Sequence, residues 1–498
     1  MSLPESPFSC LCLQFLFSLS SALLFPSYWF IDRLLSCAVF TSIERFHRPG
    51  LRFLCLVLGV PLFLLLFILS LPLGFFGFLF WAPLQKLRRP FSYQNSVKTC
   101  DVPEKILEGD CSFIFISANL CLLPDGLARF SNLHHTQRRS LAISRLLCSP
   151  SEPAQNNCED KVPMCSTEDV LPMIEIPYKI KRDASAEGDM PFEVSTVFPQ
   201  NADFVCLQEV FDGRASRKLR HCLGSTFPHI LYDIGPSGPH GCGFRFFRSG
   251  LFLASRHPFM AAKYYFYPNA RGEDALASKG LLCVKVYIGM TKQKQKIVGY
   301  INCTHLHAPE SDAVIRCDQM SLLLQWVLDF QSQYSEDGDL VVFDVLCGDL
   351  NFDNCSTDDC MEQKHQLFSV YKDPCRDSAG QDRRGTVGTL LRWDCLYHEA
   401  INTPASLKRT LDSEAERRLY VAPPLPEGID GSGAHWTGRR IDYILYRESD
   451  SLLSLAVNKF QFITQLAGLS DHVPVSMHFS ISLPGGSSPV NNDTTIPH

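Results

Sequence analysis

Six short stretches of the chain carry side chains able to hold a hard cation or move a proton, and each adjoins an apolar run. Phe113-Ile114-Phe115-Ile116-Ser117 ends in Ala118-Asn119, and Phe204–Leu207 ends in Gln208-Glu209. Ile297–Cys303 ends in Thr304-His305-Leu306-His307, and Leu340–Cys347 ends in Gly348-Asp349-Leu350-Asn351. Arg440-Ile441-Asp442-Tyr443 begins a further run, and Ser470-Asp471-His472 precedes the last. Carboxylate and amide oxygens suit a hard divalent cation, and an imidazole that titrates near pH ~6.5 suits a water proton. Singly, each residue has an ordinary reading. Asn119 is a turn residue, Glu209 is solvated, either histidine is structural, and Asp349 with Asn351 closes an Asx turn. Buried strands that deliver all six elements to their rims can bring them to one mouth.

Such a mouth needs strands to position it. Strand-like runs recur at Phe204–Leu207, Leu281–Val286, Ile297–Asn302, Leu340–Leu346, Ile441–Tyr446 and Val473–Phe479, short and apolar enough for buried strands. Met320, Leu323, Leu324, Val327 and Phe330 recur at helical spacing and predict a helix between two of them. Strands mixed with helices predict one large α/β or α+β domain with two packed sheets over residues 91–483. Between Pro150 and Glu175 stand six acidic residues, one lysine and four prolines, which predicts a disordered acidic insertion at about 148–192. The tail 484–498 is rich in Gly, Ser and Asn and reads as flexible. No internal repeat is visible.

The whole chain has 498 residues, 46% of them hydrophobic, and a net charge of −6, which excludes a disordered or collagen-like protein. Residues 1–90 hold seven basic and three acidic residues (+4), leaving −10 for the rest, which argues against a nucleic-acid binder. The 21 cysteines are odd in number and irregularly spaced, so they read as reduced thiols facing a reducing compartment. No charge interrupts Ser6–Ile31 or Phe53–Gln85, and each run exceeds the ~20 residues that cross a bilayer as a helix. Pro26, Pro61 and Pro72 interrupt them, and Arg33, Arg45, Arg48, Arg52, Lys86, Arg88 and Arg89 flank them. Positive charge at both ends of the second run favours two re-entrant hydrophobic hairpins over two spans. These cations suit anionic headgroups. Cys10, Cys12, Cys37 and Cys55 are candidate acylation sites, with inert thiols as the alternative.

The order strand-Asn, Gln-Glu, Thr-His, Gly-Asp-Leu-Asn, Asp-Tyr-Ile and Ser-Asp-His resembles the endonuclease/exonuclease/phosphatase superfamily, to which deoxyribonuclease I is related. The two hydrophobic segments, Leu79-Phe80-Trp81-Ala82-Pro83 and the stretch Glu273–Gly280 resemble the membrane-bound neutral sphingomyelinases within it. The short insertion is more like that of the mitochondria-associated members. The resemblance implies a four-layer αββα sandwich and a Mg2+-dependent site that hydrolyses sphingomyelin to ceramide and phosphocholine. It implies Glu209, Asn119 and Asp471 on the metal side, and His472 as general base oriented by Asp442. Asp349 and Asn351 would position the water or phosphoryl oxygens, and His305 would donate to developing charge. Asp274 and Lys279 would form a switch that lipid binding at residues 1–90 could bias; His307 is given no role.

Further implied are anionic phospholipid activators, no nucleic-acid partner and a mitochondrial membrane, with endoplasmic reticulum, Golgi or the inner face of the plasma membrane as alternatives. Phe244, Phe246, Phe247 and Tyr264–Tyr267 read as core strands or as a choline- or membrane-contacting surface. Competing functions are an inositol-phosphate phosphatase or nuclease of the same fold, and an inactive membrane scaffold.

Overall fold

The computed structural model describes residues 3–47, 49–96, 106–107, 109–148, 192–240, 243–426, 436–448 and 454–482. Of the insertion expected at about 148–192, residues 149–191 lie outside the described residues, as does the expected tail at 484–498.

Two sheets face each other. The larger has the strand order Ser92–Asn95, His229–Tyr232, Phe252–Ser255, Phe204–Gln208, Asp110–Asn119, Val475–Ser482, Ser454–Ile463, Phe192–Ser195. The smaller runs Asp442–Tyr446, Leu340–Asp349, Lys296–His305, Gly280–Met290, Phe259–Phe266. Successive residues of a strand point to opposite faces, and here both faces are buried. Phe115 stacks on Phe204 and Phe479 at 4.6 and 5.4 Å, and Phe343 from the opposite sheet meets it edge-on at 5.3 Å. On the outer face, Ile116, Ala118, Val205 and Leu207 pack against the helices Thr136–Cys148 and Gly213–Leu223. Tyr300, Leu346 and Tyr443 pack in the same way against the helix Ala313–Tyr334. Its buried stripe contains Met320, Leu323, Leu324, Val327 and Phe330, as the helical spacing predicts. The result is the four-layer αββα sandwich, and its double burial explains why the strands read as unbroken apolar runs.

Register brings the polar strand ends together. His305 lies opposite Asp349 in a parallel pair, and Asp349 opposite Asp442 in an antiparallel one. Asn119 lies opposite Gln208, the residue before Glu209. Val475–Ser482 runs antiparallel to Asp110–Asn119, so His472, three residues before its start, falls at the same rim.

The apolar runs fold as Leu11–Ala38 and Val60–Leu87, each a continuous helix of 28 residues. The expected re-entrant turn within each run is not formed. Pro26 and Pro72 sit inside the helices, and the π-helical turn Cys55–Gly59 precedes Pro61. A proline removes one helical hydrogen bond, whereas a turn among apolar surroundings would leave several backbone groups unsatisfied. The helices pair antiparallel through small residues. Ser27 Oγ lies 2.9 Å from Ser70 Oγ, and a Cβ on Gly74 would come within 2.7 Å of Ser27 Oγ. Ser70, Gly74 and Gly77 share a face at the spacing that lets helices approach closely. The first helix and the segment before it touch the sandwich: Tyr93 N donates to Pro4 O at 2.8 Å, and Gly126 N to Asp32 Oδ1 at 2.8 Å. The pair therefore lies along the domain.

At Gly348 the neighbouring strand is close: a Cβ there would sit 2.1 Å from Thr304 O. Gly348→Ala must push apart the strands that carry His305 and Asp349. Urea unfolding should show a loss of about 1–3 kcal/mol, and an unchanged midpoint would contradict the register.

Candidate active site

The six elements meet. Ligand atoms of Glu209, His305 and Asp349 lie within 4.8 Å of one another, and so do those of Asp349, Asp442 and His472. Asp349 belongs to both groups and is the centre. Its Oδ2 accepts from Asn119 Nδ2 at 2.9 Å and lies 3.6 Å from His305 Nε2 and 4.0 Å from His472 Nε2. Its Oδ1 accepts from Asn351 N at 2.9 Å, closing the Asx turn. Asn351 Nδ2 donates to Leu306 O at 3.0 Å.

Asn119 turns its amide nitrogen, not its oxygen, toward the carboxylates. Nδ2 also donates to Glu209 Oε1 at 2.9 Å, while Oδ1 accepts from Cys121 N at 3.0 Å. His472 Nδ1 and Asp442 Oδ2 are 2.8 Å apart, which leaves Nε2 toward the mouth. Thr389 Oγ1 accepts from the backbone N–H of Ile441 and Asp442, fixing where that strand begins. Ser470 Oγ bonds Asn119 O at 2.8 Å and ties the His472 loop to the opposite strand end. Glu209 and Asn351 both adopt left-handed backbone, with φ of 57° and 56°. That conformation is strained for a side-chain-bearing residue and concentrates at functional sites. Glu209 retains 20% side-chain exposure, so the mouth opens beside it.

Electrostatics point to a missing positive charge. Glu209, Asp349, Asp442 and Asp471 converge, while Lys279 is already paired with Asp274. Burial and the Asp471 charge push Glu209 up to about 7. Burial and the Asp442 charge push Asp349 up to about 6. Burial alone would lower His472, but Asp442 outweighs it and holds the imidazole well above its ordinary value. Burial, then Lys279, holds His305 well below its own, so it is neutral. Asp471 Oδ1, Asp442 Oδ1 and both His305 nitrogens are buried without hydrogen-bond partners among the described residues. A carboxylate-rich site with orphaned acceptors fits a hard divalent cation. Glu209 and Asp349 offer the oxygens for it. Asp471 is outside both tight groups and acts on Glu209 through its charge.

Beside the mouth, Lys279 Nζ donates to Asp274 Oδ2 at 2.9 Å and to Leu306 O at 3.1 Å. The same Asp274 oxygen accepts from Ala308 N at 2.6 Å and lies 3.2 Å from His307 Nδ1. Burial would raise Asp274, but Lys279 and His307 hold it well below the usual carboxylate range. His307 is therefore part of this constellation. Its one sequence signal was its place two residues after His305, on the same extended stretch. The segment is not all loop, since Gly272–Leu276 forms a 3-10 turn. The aromatic set divides. Tyr264–Tyr267 belong to the sheet side, with Tyr265 and Tyr267 stacked on Trp326 at 5.2 and 5.4 Å. Phe244 instead meets Phe78 and Trp81 of the second apolar helix at 6.0 and 6.4 Å.

A carboxyl raised from ~4.3 to about 7 binds more protons folded than unfolded between those values, so without a cation Glu209 costs stability as pH rises through that window. A bound cation requires the ionised form and offsets the cost. Mg2+ at a hundred times its Kd should raise Tm by about 3 °C at pH 7.5 and by little at pH 5. An equal shift at both pH values, or none at either, would contradict the assignment of the carboxylates.

Comparison with known proteins agrees with this geometry. Residues 12–87 match the model of the neutral sphingomyelinase N-terminal transmembrane region, and residues 192–472 that of the Endonuclease/Exonuclease/phosphatase family. The chain is 43% identical to Sphingomyelin phosphodiesterase 5 of Danio rerio, covering 97% of this chain and 99% of that protein. It is 40% identical to Sphingomyelin phosphodiesterase 5 of Mus musculus, over 96% and 95%. It is 35% identical to Sphingomyelin phosphodiesterase 3 of Mus musculus, over 97% and 99%. With its sandwich, its apolar helix pair and this mouth, the chain belongs to the membrane-associated neutral sphingomyelinases of the endonuclease/exonuclease/phosphatase family.

Proposed function

We propose that the chain is a Mg2+-dependent phosphodiesterase that hydrolyses sphingomyelin to ceramide and phosphocholine at a membrane surface. One observation carries the reading. Glu209, His305, Asp349 and the Asp442–His472 pair share one mouth, in a chain whose relatives over nearly its full length are named sphingomyelin phosphodiesterases.

Glu209 and Asp349 would hold the cation, which when bound neutralises charge on the phosphodiester and orients it. His472 Nε2 takes the proton of the attacking water, and Asp442 at Nδ1 keeps the ring in the required tautomer and stabilises its charged form. His305, with no hydrogen-bond partner among the described residues, donates an N–H to a phosphoryl oxygen as negative charge grows there. Asn119 positions Glu209 and Asp349 through its amide hydrogens. Asn351 supports Asp349 through the turn. In this arrangement Asp274 holds Lys279; a shift of the Gly272–Gly280 segment frees the ammonium for the phosphate. The reading extends to anionic phospholipids as activators, and to a mitochondrial membrane on the strength of the short insertion.

Purified full-length protein should release choline headgroup from sphingomyelin vesicles with Mg2+ and not with EDTA. His472→Ala should lower kcat at least about 1000-fold. Asp442→Asn should lower it by about 100- to 10,000-fold. Because Asp442 raises the imidazole pKa, Asp442→Asn should also move the acid limb of the pH–rate profile to lower pH. Phosphate release from inositol lipids without choline release would replace sphingomyelin as substrate. Release from neither would make the chain a scaffold.

A further inference from the structure

The helix Thr136–Cys148 turns Thr136, Arg139, Ser140, Ile143, Ser144 and Leu147 into the domain. An arginine is seldom buried without an ionic partner, yet Arg139 is only 4% exposed. Arg316 and Arg440, also buried, meet carboxylates: Glu362 at 2.8 Å for the first, Asp382 and Asp373 at 2.9 and 2.7 Å for the second. Arg139 has no carboxylate partner among the described residues and donates instead to four backbone carbonyls. Nη1 reaches Leu120 O at 3.1 Å and Leu469 O at 2.7 Å. Nη2 reaches Cys121 O at 2.7 Å, and Nε reaches His134 O at 3.2 Å.

Three of these carbonyls belong to two loops that frame the mouth. Leu120 and Cys121 follow Asn119, and Leu469 precedes Ser470-Asp471-His472. Cys121 takes left-handed backbone, with φ of 47°, which turns its N–H onto Asn119 Oδ1 while its carbonyl accepts from Arg139. Leu120 N donates to Gln208 O at 3.1 Å and Leu122 N to Glu209 O at 3.0 Å, so the same loop also holds the strained backbone of Glu209. Asn119, Glu209 and His472, at three different strand ends, thus all depend on carbonyls that one guanidinium gathers. Ser470 Oγ, bonded to Asn119 O at 2.8 Å, is a second strap between the two loops.

We propose that Arg139 is a positioning residue of the phosphodiesterase site, keeping the Asn119–Leu122 and Leu469–His472 loops in register. It acts through Asn119, Glu209 and His472 rather than on the substrate. A guanidinium is planar, with five donors in a fixed fork, so bonding several carbonyls at once fixes where they stand relative to one another. An ammonium has three donors on a flexible stem and cannot span the same set. A buried charge is costly unless its donors are satisfied, so moving either loop away strips donors from Arg139 and is resisted. That resistance matters for turnover, because a displacement of about 1 Å at a reacting group can cost about 100-fold in rate. The inference rests on the phosphodiesterase reading above, and its test includes metal binding, so the two can fail separately.

Arg139→Lys in the full chain keeps the charge and loses the fork. On sphingomyelin vesicles with Mg2+, kcat should fall about 100-fold while KM stays within about twofold. Mg2+ affinity, measured by calorimetry without substrate, should weaken about tenfold, as when a group that orients metal ligands is lost. Unchanged kcat and unchanged Mg2+ affinity overturn the proposal. So does a loss of activity that merely follows the unfolded fraction seen by circular dichroism, with the Mg2+ affinity of the folded protein intact, since Arg139 is then only structural. A raised KM with kcat retained would place Arg139 on the substrate and overturn it as well. Ser470→Ala loosens the same loops from the other strap and covers an Arg139→Lys chain that does not fold: kcat should fall about tenfold, and an unchanged kcat overturns the proposal. Absence of hydrolysis by the unaltered chain would strike the phosphodiesterase reading and leave the Mg2+ comparison to decide on Arg139.

Discussion

Four carboxylates held close together where water is scarce form the constraint on which the rest of the structure depends. Glu209, Asp349, Asp442 and Asp471 meet one imidazole, His472, held by Asp442, and the nearby ammonium of Lys279 is already bound to Asp274. Uncompensated buried charge is costly enough that the site relieves it by protonation or by a counter-ion. The raised titration of Glu209 and Asp349 is the first response, and a divalent cation is the second. The same tension serves the chemistry. A site that lacks one positive charge at rest is completed by the ion that also neutralises a phosphodiester.

The scaffold maintains that tension by register. Asp349 is flanked across its sheet by His305 and Asp442, and the facing sheet supplies Asn119 and Glu209. The Phe115, Phe204, Phe343 and Phe479 cluster holds the two sheets at a fixed separation. From the mouth a continuous run of contacts leads to the membrane helices. Phe247 N donates to Leu276 O beside the Lys279 segment, Arg245 reaches Ala275 O, and Phe244 packs on Phe78 and Trp81. The expected influence of residues 1–90 on the Asp274–Lys279 pair thus has a physical path.

Much of this was legible in the sequence because local rules governed it. Strands buried on both faces are unbroken apolar runs, and polar residues at their ends stand out, so Asn119, Glu209, His305, Asp349, Asp442 and His472 could be picked by type and place. What stayed hidden depends on partners far away in the chain. The pairing of His307 with Asp274 was one such case, because the meaning of that histidine lies 33 residues upstream. The direction of the Asn119 amide was another, since Cys121 N and two carboxylates set it together. The apolar runs were read as turning at their prolines. Their small residues instead pair the helices with each other, which no reading of one helix alone reveals.

The most direct measurement is anomalous scattering from crystals of the full chain soaked in Mn2+, a cation that occupies oxygen-rich sites suited to Mg2+. A peak between the Glu209 and Asp349 carboxylates, opposite His472 Nε2, is the predicted result. A peak elsewhere in the domain, with Glu209 and Asp349 left uncoordinated, would contradict it.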